Sequence, residues 1–172
     1  MTLPRRLLAL LLVALPLAPA FGKDPDQPAD LFDFWVGDWN AKWKNTNGTE
    51  GRGRNTITKI LDGKVLEENF EAEGTPKAPG LKGRSLSVQE KKSGQWRQTW
   101  TDNQGGFIVL TAQVDGDKKM FVTDGKESFQ RMVFYDIKKD SFTWDWESTT
   151  DGGKTWKLQW RIEYERRPAE KK

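Results

Sequence analysis

Histidine and cysteine are both missing from the chain. Without imidazole there is no Ser–His–Asp or Cys–His nucleophile, no His-ligated zinc or iron and no proximal-His haem. Without thiols there is no disulfide, no thiolate nucleophile, no iron–sulfur cluster and no lipidated cysteine. A long apolar run is missing too. The one apolar stretch near the start, residues 7–17, covers 11 positions, against the roughly 20 that a spanning helix needs. Charge of one sign is likewise lacking, with 28 Lys and Arg against 25 Asp and Glu. What the chain has in abundance is aromatic surface, including 9 tryptophans.

The short apolar stretch reads as an export signal. Arg5 and Arg6 precede it, and Ala18-Pro19-Ala20 follows with the small-x-small form of a signal-peptidase site, with Ala20-Phe21-Gly22 as the second choice. The expected organisation is a signal peptide at 1–22, a flexible polar leader at 23–30, a β-barrel domain at 31–166 and a charged tail at 167–172. The mature protein is expected to be exported, periplasmic or secreted, with no integral membrane segment. Removing Arg5 and Arg6 leaves 26 basic against 25 acidic residues. A nearly neutral domain with interspersed signs lacks the clustered basic face that nucleic acid requires, so nucleic acid is not an expected partner.

Within the domain, apolar and polar residues alternate. Trp39, Ala41 and Trp43 alternate with Asn40 and Lys42; Phe142, Trp144 and Trp146 alternate with Thr143 and Asp145; Trp156, Leu158, Trp160, Ile162 and Tyr164 follow the same rule. Period two is the mark of half-buried antiparallel strand. Turn signals such as Asp62-Gly63, Gln104-Gly105-Gly106, Asp115-Gly116 and Asp151-Gly152-Gly153 recur at roughly eight- to twelve-residue spacing. The expected fold is all-β: an antiparallel up-and-down barrel of about ten strands, closed to remove its edges.

Hairpin registers follow from keeping one face apolar. A two-residue loop at Asp62-Gly63 sets Lys59 against Leu66, Ile57 against Glu68 and Asn55 against Phe70. The turn after Asp102 sets Trp100 against Ile108 and Trp96 against Ala112. A three-residue loop at Lys92-Ser93-Gly94 sets Leu86 against Trp100 and Val88 against Gln98. Around Asp151, Trp144 is set against Trp160 and Glu147 against Lys157. These registers place four polar residues, Asn55, Glu68, Arg84 and Gln98, on the inner face among the tryptophans. A buried charge must be paired or hydrogen-bonded, and an apolar cavity with a few convergent polar groups is the usual build of a ligand site. An internal Glu68–Arg84 strut, or placement at a wet rim, accounts for the same residues without a ligand.

Four stretches carry a resemblance: Phe32-Asp33-Phe34-Trp35-Val36-Gly37-Asp38-Trp39, Ile60-Leu61-Asp62-Gly63, Trp100-Thr101-Asp102-Asn103-Gln104-Gly105-Gly106, and Ser148 to Trp156. Their order resembles a group of exported bacterial proteins with a lipocalin-like, calycin-type barrel, the domain of unknown function 1579. Gly37-x-Trp39 is similar to the lipocalin signature, where the Trp closes one barrel end; this implies a structural role for Gly37 and Trp39. The barrel is also similar in kind to nitrobindins, which bind haem through a histidine. This chain has none, so no cofactor is expected, and a Tyr-ligated haem through Tyr135 or Tyr164 is the form of that chemistry left open. The resemblance implies a fold rather than an activity.

Other motifs read as structure. Thr149-x-Asp151-x-Gly153-x-Thr155-Trp156 matches an Asp-box turn, in which Asp151 ties the loop, Gly153 supplies the turn and Trp156 packs beneath. Asp145 and Glu147 lie on one face about 7 Å apart, the spacing of a glycosidase pair, but cations opposite them favour a salt-bridge ladder. Asp115-Gly116-Asp117 lacks the other ligands of a calcium loop, so no metal is expected. The sequence therefore favours a non-catalytic barrel binding a small apolar or amphipathic molecule, with Trp96 and Trp100 lining the cavity and Asn55, Glu68, Arg84 and Gln98 fixing a polar head. The alternatives are an enzyme using Glu68 as acid or base, and a barrel filled by its own side chains.

Overall fold

A computed structural model describes residues 27–75 and 79–168. The expected signal peptide lies outside them, as does the end of the charged tail. Among the described residues the chain forms a 3₁₀ turn at Asp33–Trp35 and ten strands: β1 Gly37–Lys44, β2 Glu50–Ile60, β3 Val65–Ala72, β4 Lys82–Gln89, β5 Trp96–Asp102, β6 Phe107–Asp115, β7 Lys118–Thr123, β8 Phe129–Tyr135, β9 Ser141–Thr149 and β10 Lys157–Arg166. Each strand pairs antiparallel with the next, and β10 returns to β1 through Ala41 opposite Tyr164, closing the barrel. Closure leaves no unpaired edge to template aggregation. No described helix is long and apolar enough to cross a membrane.

One end of this barrel is plugged. The 3₁₀ turn precedes β1 there, at the end that also carries the β2–β3, β4–β5, β6–β7 and β8–β9 turns. Phe32 is fully buried and stacks on Phe121 at 4.4 Å, with Trp96 edge-on at 5.6 Å and Phe134 at 6.1 Å. Offset and edge-on aromatic pairs of this kind add about 0.5–1.5 kcal/mol each beyond the area they bury. Trp39 lies against Phe142, and its indole N–H donates to the Trp35 carbonyl at 2.8 Å. The Arg166 guanidinium sits 4.1 Å above the Trp39 ring and donates to the Val36 carbonyl at 3.0 Å. Gly37 has φ +134°, and a Cβ there would meet Arg166 at 2.2 Å, so this position requires glycine. The Gly37-x-Trp39 pair thus holds the first strand, the last strand and the plug together.

Residues 27 and 28 of the expected leader are fastened to the same end. Gln27 is buried; its side-chain amide donates to the Ala112 carbonyl at 3.0 Å, and its oxygen accepts from the Trp96 backbone N–H at 2.9 Å. The Trp96 indole donates to the Pro28 carbonyl at 3.1 Å. A polar segment is held because buried backbone groups at the strand ends need partners.

Two hairpin registers match the expectation and two differ. Ile57 faces Glu68 and Asn55 faces Phe70 across β2 and β3; Trp100 faces Ile108 across β5 and β6. The β4–β5 loop, however, is longer than expected. Glu90 donates its N–H to Gln95 O, leaving the four residues Lys91-Lys92-Ser93-Gly94 as the loop, with Gly94 at φ +69°. One extra loop residue turns every β4 side chain to the other face: Ser85 opposes Trp100 and Ser87 opposes Gln98, while Leu86 and Val88 point outward. In β9–β10 the register moves by two, pairing Trp146 with Trp160 and Trp144 with Ile162, with a bulge between Leu158 and Trp160. A shift of two preserves the faces, whereas the bulge leaves Leu158 exposed.

Candidate functional site

The half of the barrel away from the plug is hollow. A cavity of about 300 Å³ opens toward the end carrying the β1–β2, β3–β4, β5–β6, β7–β8 and β9–β10 loops, at the lower bound of the roughly 300–1,000 Å³ typical of small-molecule sites. Leu81 and Gln130, at strand ends, mark its mouth; Glu68, Ile162 and Tyr164 line it deeper down. The expected filled barrel describes the plugged half only.

The wall is aromatic because alternation turns rings of β1, β3, β5, β9 and β10 to the inner face. Trp144 and Trp146 stack at 6.4 Å with planes 9° apart, Trp160 stands edge-on to Trp144 at 5.7 Å, and Phe70 is edge-on to Trp160 at 5.9 Å. Trp43 extends this array, edge-on to Trp160 at 5.2 Å. Two of the rings lie across glycines: a Cβ on Gly83 would meet Trp100 at 2.0 Å, and one on Gly51 would meet Trp43 at 2.1 Å. Small residues in β2 and β4 therefore make the room that these indoles occupy.

Below the rings runs a polar band. Glu68 is 7 % exposed and accepts two hydrogen bonds, from Asn55 Nδ2 to Oε1 at 2.7 Å and from Ser85 Oγ to Oε2 at 2.6 Å. Asn55 also donates to the Tyr164 hydroxyl at 3.4 Å. One residue pair further toward the plug, Gln98 donates to Ser87 Oγ at 3.0 Å. Burial pushes the Glu68 carboxyl up to about 7, opposed by the Ser85 and Asn55 hydrogen bonds, which favour the ionised form. The Tyr164 phenol is held well above its ordinary value, first by burial and then by the neighbouring Glu68 charge. No described ion pair includes Glu68, and the described residues hold no cluster of three or more metal-ligating side chains.

The residues expected at the site are divided by this arrangement. Asn55, Glu68 and Gln98 share the interior, Glu68 and Trp100 line the cavity itself, and Trp96 belongs to the plug. Arg84 does not join them. Its side chain is 71 % exposed on the outer wall, 3.9 Å from Glu67, and it borders a separate hollow with Asn69, Lys82 and Asp102. The four-residue β4–β5 loop is the reason, and it also rules out a Glu68–Arg84 strut. In Arg84's stead the interior receives Ser85 and Ser87, which hydrophobic patterning passes over because serine carries no apolar signal. Trp144, Trp146 and Trp160 are legible as inward residues by alternation; their convergence on one cavity depends on closure of the barrel.

The remaining motifs are structural. Asp151 accepts from the Thr149 hydroxyl at 2.8 Å and from both the amide and hydroxyl of Thr155 at 3.0 and 2.7 Å. The Trp156 indole donates to the Gly153 carbonyl at 3.1 Å, and Arg131 stacks 3.7 Å over its ring. Asp145 and Glu147 form the expected ladder on the outer face, with one of the two cations changed. Arg161 grips Asp145 with two bonds of 2.8 and 2.6 Å, and Arg131 rather than Lys157 holds Glu147 at 2.6 Å.

No protein-family model matches the chain, and no curated protein sequence matches it. Solved structures that resemble it are barrels. The crystal structure of Rv2717c from M. tuberculosis superposes with a TM-score of 0.51 at 11 % identity, over 83 % of this chain and 99 % of that one. A de novo designed fluorescence-activating β-barrel gives 0.42 at 15 % identity, over 80 % and 98 %. A redesigned β-barrel gives 0.44 at 10 % identity, over 79 % and 94 %. At these identities the likeness is one of fold.

Proposed function

We propose that this protein is an exported, non-catalytic carrier that takes one small apolar or amphipathic molecule into its barrel, within the lipocalin-like group that its Gly37-x-Trp39 opening resembles. The observation that supports this reading is the one-ended cavity: tryptophan walls for an apolar body, and a hydrogen-bonded carboxyl at depth for a polar head. Burying apolar ligand surface against such walls contributes roughly 25 cal/mol per Å². The neutral fluorophore N-phenyl-1-naphthylamine provides the test. Saturable binding of one equivalent with quenching of tryptophan emission is expected, and Ile108→Trp, which fills the cavity, should abolish it while the far-UV spectrum stays unchanged. Absence of saturable binding, or binding indifferent to the filling, overturns the reading.

A carboxyl poised at about 7 also suits a general acid or base, which favours an enzyme on the same barrel as the second reading. Turnover of any substrate that is lost in Glu68→Gln with the cavity intact would replace the carrier reading.

A further inference from the structure

The polar band below the tryptophans leaves acceptors without partners. Both protons of the Asn55 amide are spent, one on Glu68 and one on Tyr164. The Ser85 hydroxyl is spent on Glu68, and the Gln98 amide donates to Ser87. On the acceptor side, Asn55 Oδ1 and Gln98 Oε1 are buried without a partner. Each Glu68 oxygen receives one bond from these neutral donors and has lone-pair capacity for another. Of these acceptors Glu68 lines the cavity, and a buried carboxylate with open lone pairs is costly, so its free side points to a donor arriving from outside the chain.

Charge points the same way. Among the described residues Glu68 is the one charged side chain lining the cavity, and no Lys or Arg lines it. The cation that patterning places beside it, Arg84, faces solvent on the outer wall. An anionic head entering this cavity would meet a carboxyl and no counter-charge. A cationic head would find the counter-ion itself, and on the way in would pass the rings of Trp100, Trp144, Trp146 and Trp160, a residue type whose π-system attracts cations.

Resting on the carrier reading above, we propose that the bound molecule is an amine: an apolar body bearing a protonated nitrogen that donates hydrogen bonds to Glu68. The body lies among the indoles and the ammonium reaches the carboxyl, giving charge-assisted hydrogen bonds of the strong kind.

Three probes that share a decyl chain and differ only in the head decide this: decylamine, decanol and decanoate, each competed against N-phenyl-1-naphthylamine on the full chain near pH 7.5. Decylamine should bind about tenfold or more tighter than decanol, the ratio expected of a charged hydrogen bond over a neutral one, with decanoate weakest. In Glu68→Gln the amine's advantage over the alcohol should fall to within about threefold. Should that variant fail to fold, the ranking on the unmodified protein still decides. Decanol or decanoate equal to or tighter than decylamine overturns the amine assignment and leaves the carrier reading standing. Failure of all three probes, with the fluorophore itself unbound, overturns both.

Discussion

Glu68 is where this barrel departs furthest from what burial alone would tolerate. Its carboxyl is lifted from 4.5 to about 7 because desolvation outweighs the hydrogen bonds from Ser85 and Asn55. The folded state therefore retains a proton over a window in which the unfolded chain has released it. The Glu68 contribution to stability is fully present below about pH 4.5 and is lost as pH rises through about 7, a loss on the order of 3 kcal/mol for a shift of this size. Urea midpoints measured at pH 5 and pH 8 should show the unliganded protein weaker at pH 8, and Glu68→Gln, neutral at both values, should remove most of that difference. Arg161 and Arg131 present the opposite case at the residue scale: each meets a carboxylate of the outer face, Asp145 and Glu147, in an ion pair of 2.6 Å.

Among the elements, β4 is the instructive one. Its inner positions are Gly83, Ser85 and Ser87, all buried, and its outer positions are Arg84, Leu86 and Val88. The substitutions Leu86→Ser and Ser87→Leu separate this arrangement from the inverted one. Leu86→Ser on the outer wall should change stability by no more than about 0.5 kcal/mol. Ser87→Leu should cost about 1–3 kcal/mol by overpacking beside Gln98. Thermal or urea unfolding of the two variants reads the contrast directly.

Elsewhere the alternation of Trp39, Ala41 and Trp43, and the Asp62-Gly63 turn with Asp62 at φ +58° and Gly63 at +76°, suffice to place strands, faces and the β2–β3 register. That register by itself puts Asn55 and Glu68 in the interior. In β4 the same logic misleads, because two serines face in and two aliphatic residues face out. A loop of three residues and one of four are equally compatible with Lys91-Lys92-Ser93-Gly94. The β9–β10 slip of two is invisible for a different reason: it changes partners without changing faces, so no pattern of apolar residues distinguishes it. The cavity is not legible in any single strand, since it exists only where rings from five strands fail to fill the closed cylinder.

At the scale of the whole molecule, the barrel divides into a packed half and a hollow half, and the packed half must supply most of the stability. Phe32 is its keystone, with no exposed surface and ring contacts to Phe121, Trp96 and Phe134. Phe32→Ala should cost about 3–5 kcal/mol, read as a fall in the urea midpoint with the slope unchanged. A ring lost from the hollow half, such as Trp146, removes fewer packing partners and should cost less.

The plug has a consequence for traffic. A barrel open at both ends would allow one molecule to be pushed out as another followed it in. With Phe32, Trp39 and Arg166 packed at one end, the cavity of the described residues opens at the other, where Leu81 and Gln130 lie. On the carrier reading proposed above, an occupant must leave completely before its successor is admitted. Exchange then proceeds at a pace set by departure alone, however crowded the surroundings, and whichever end of the molecule goes in first is the last to come out.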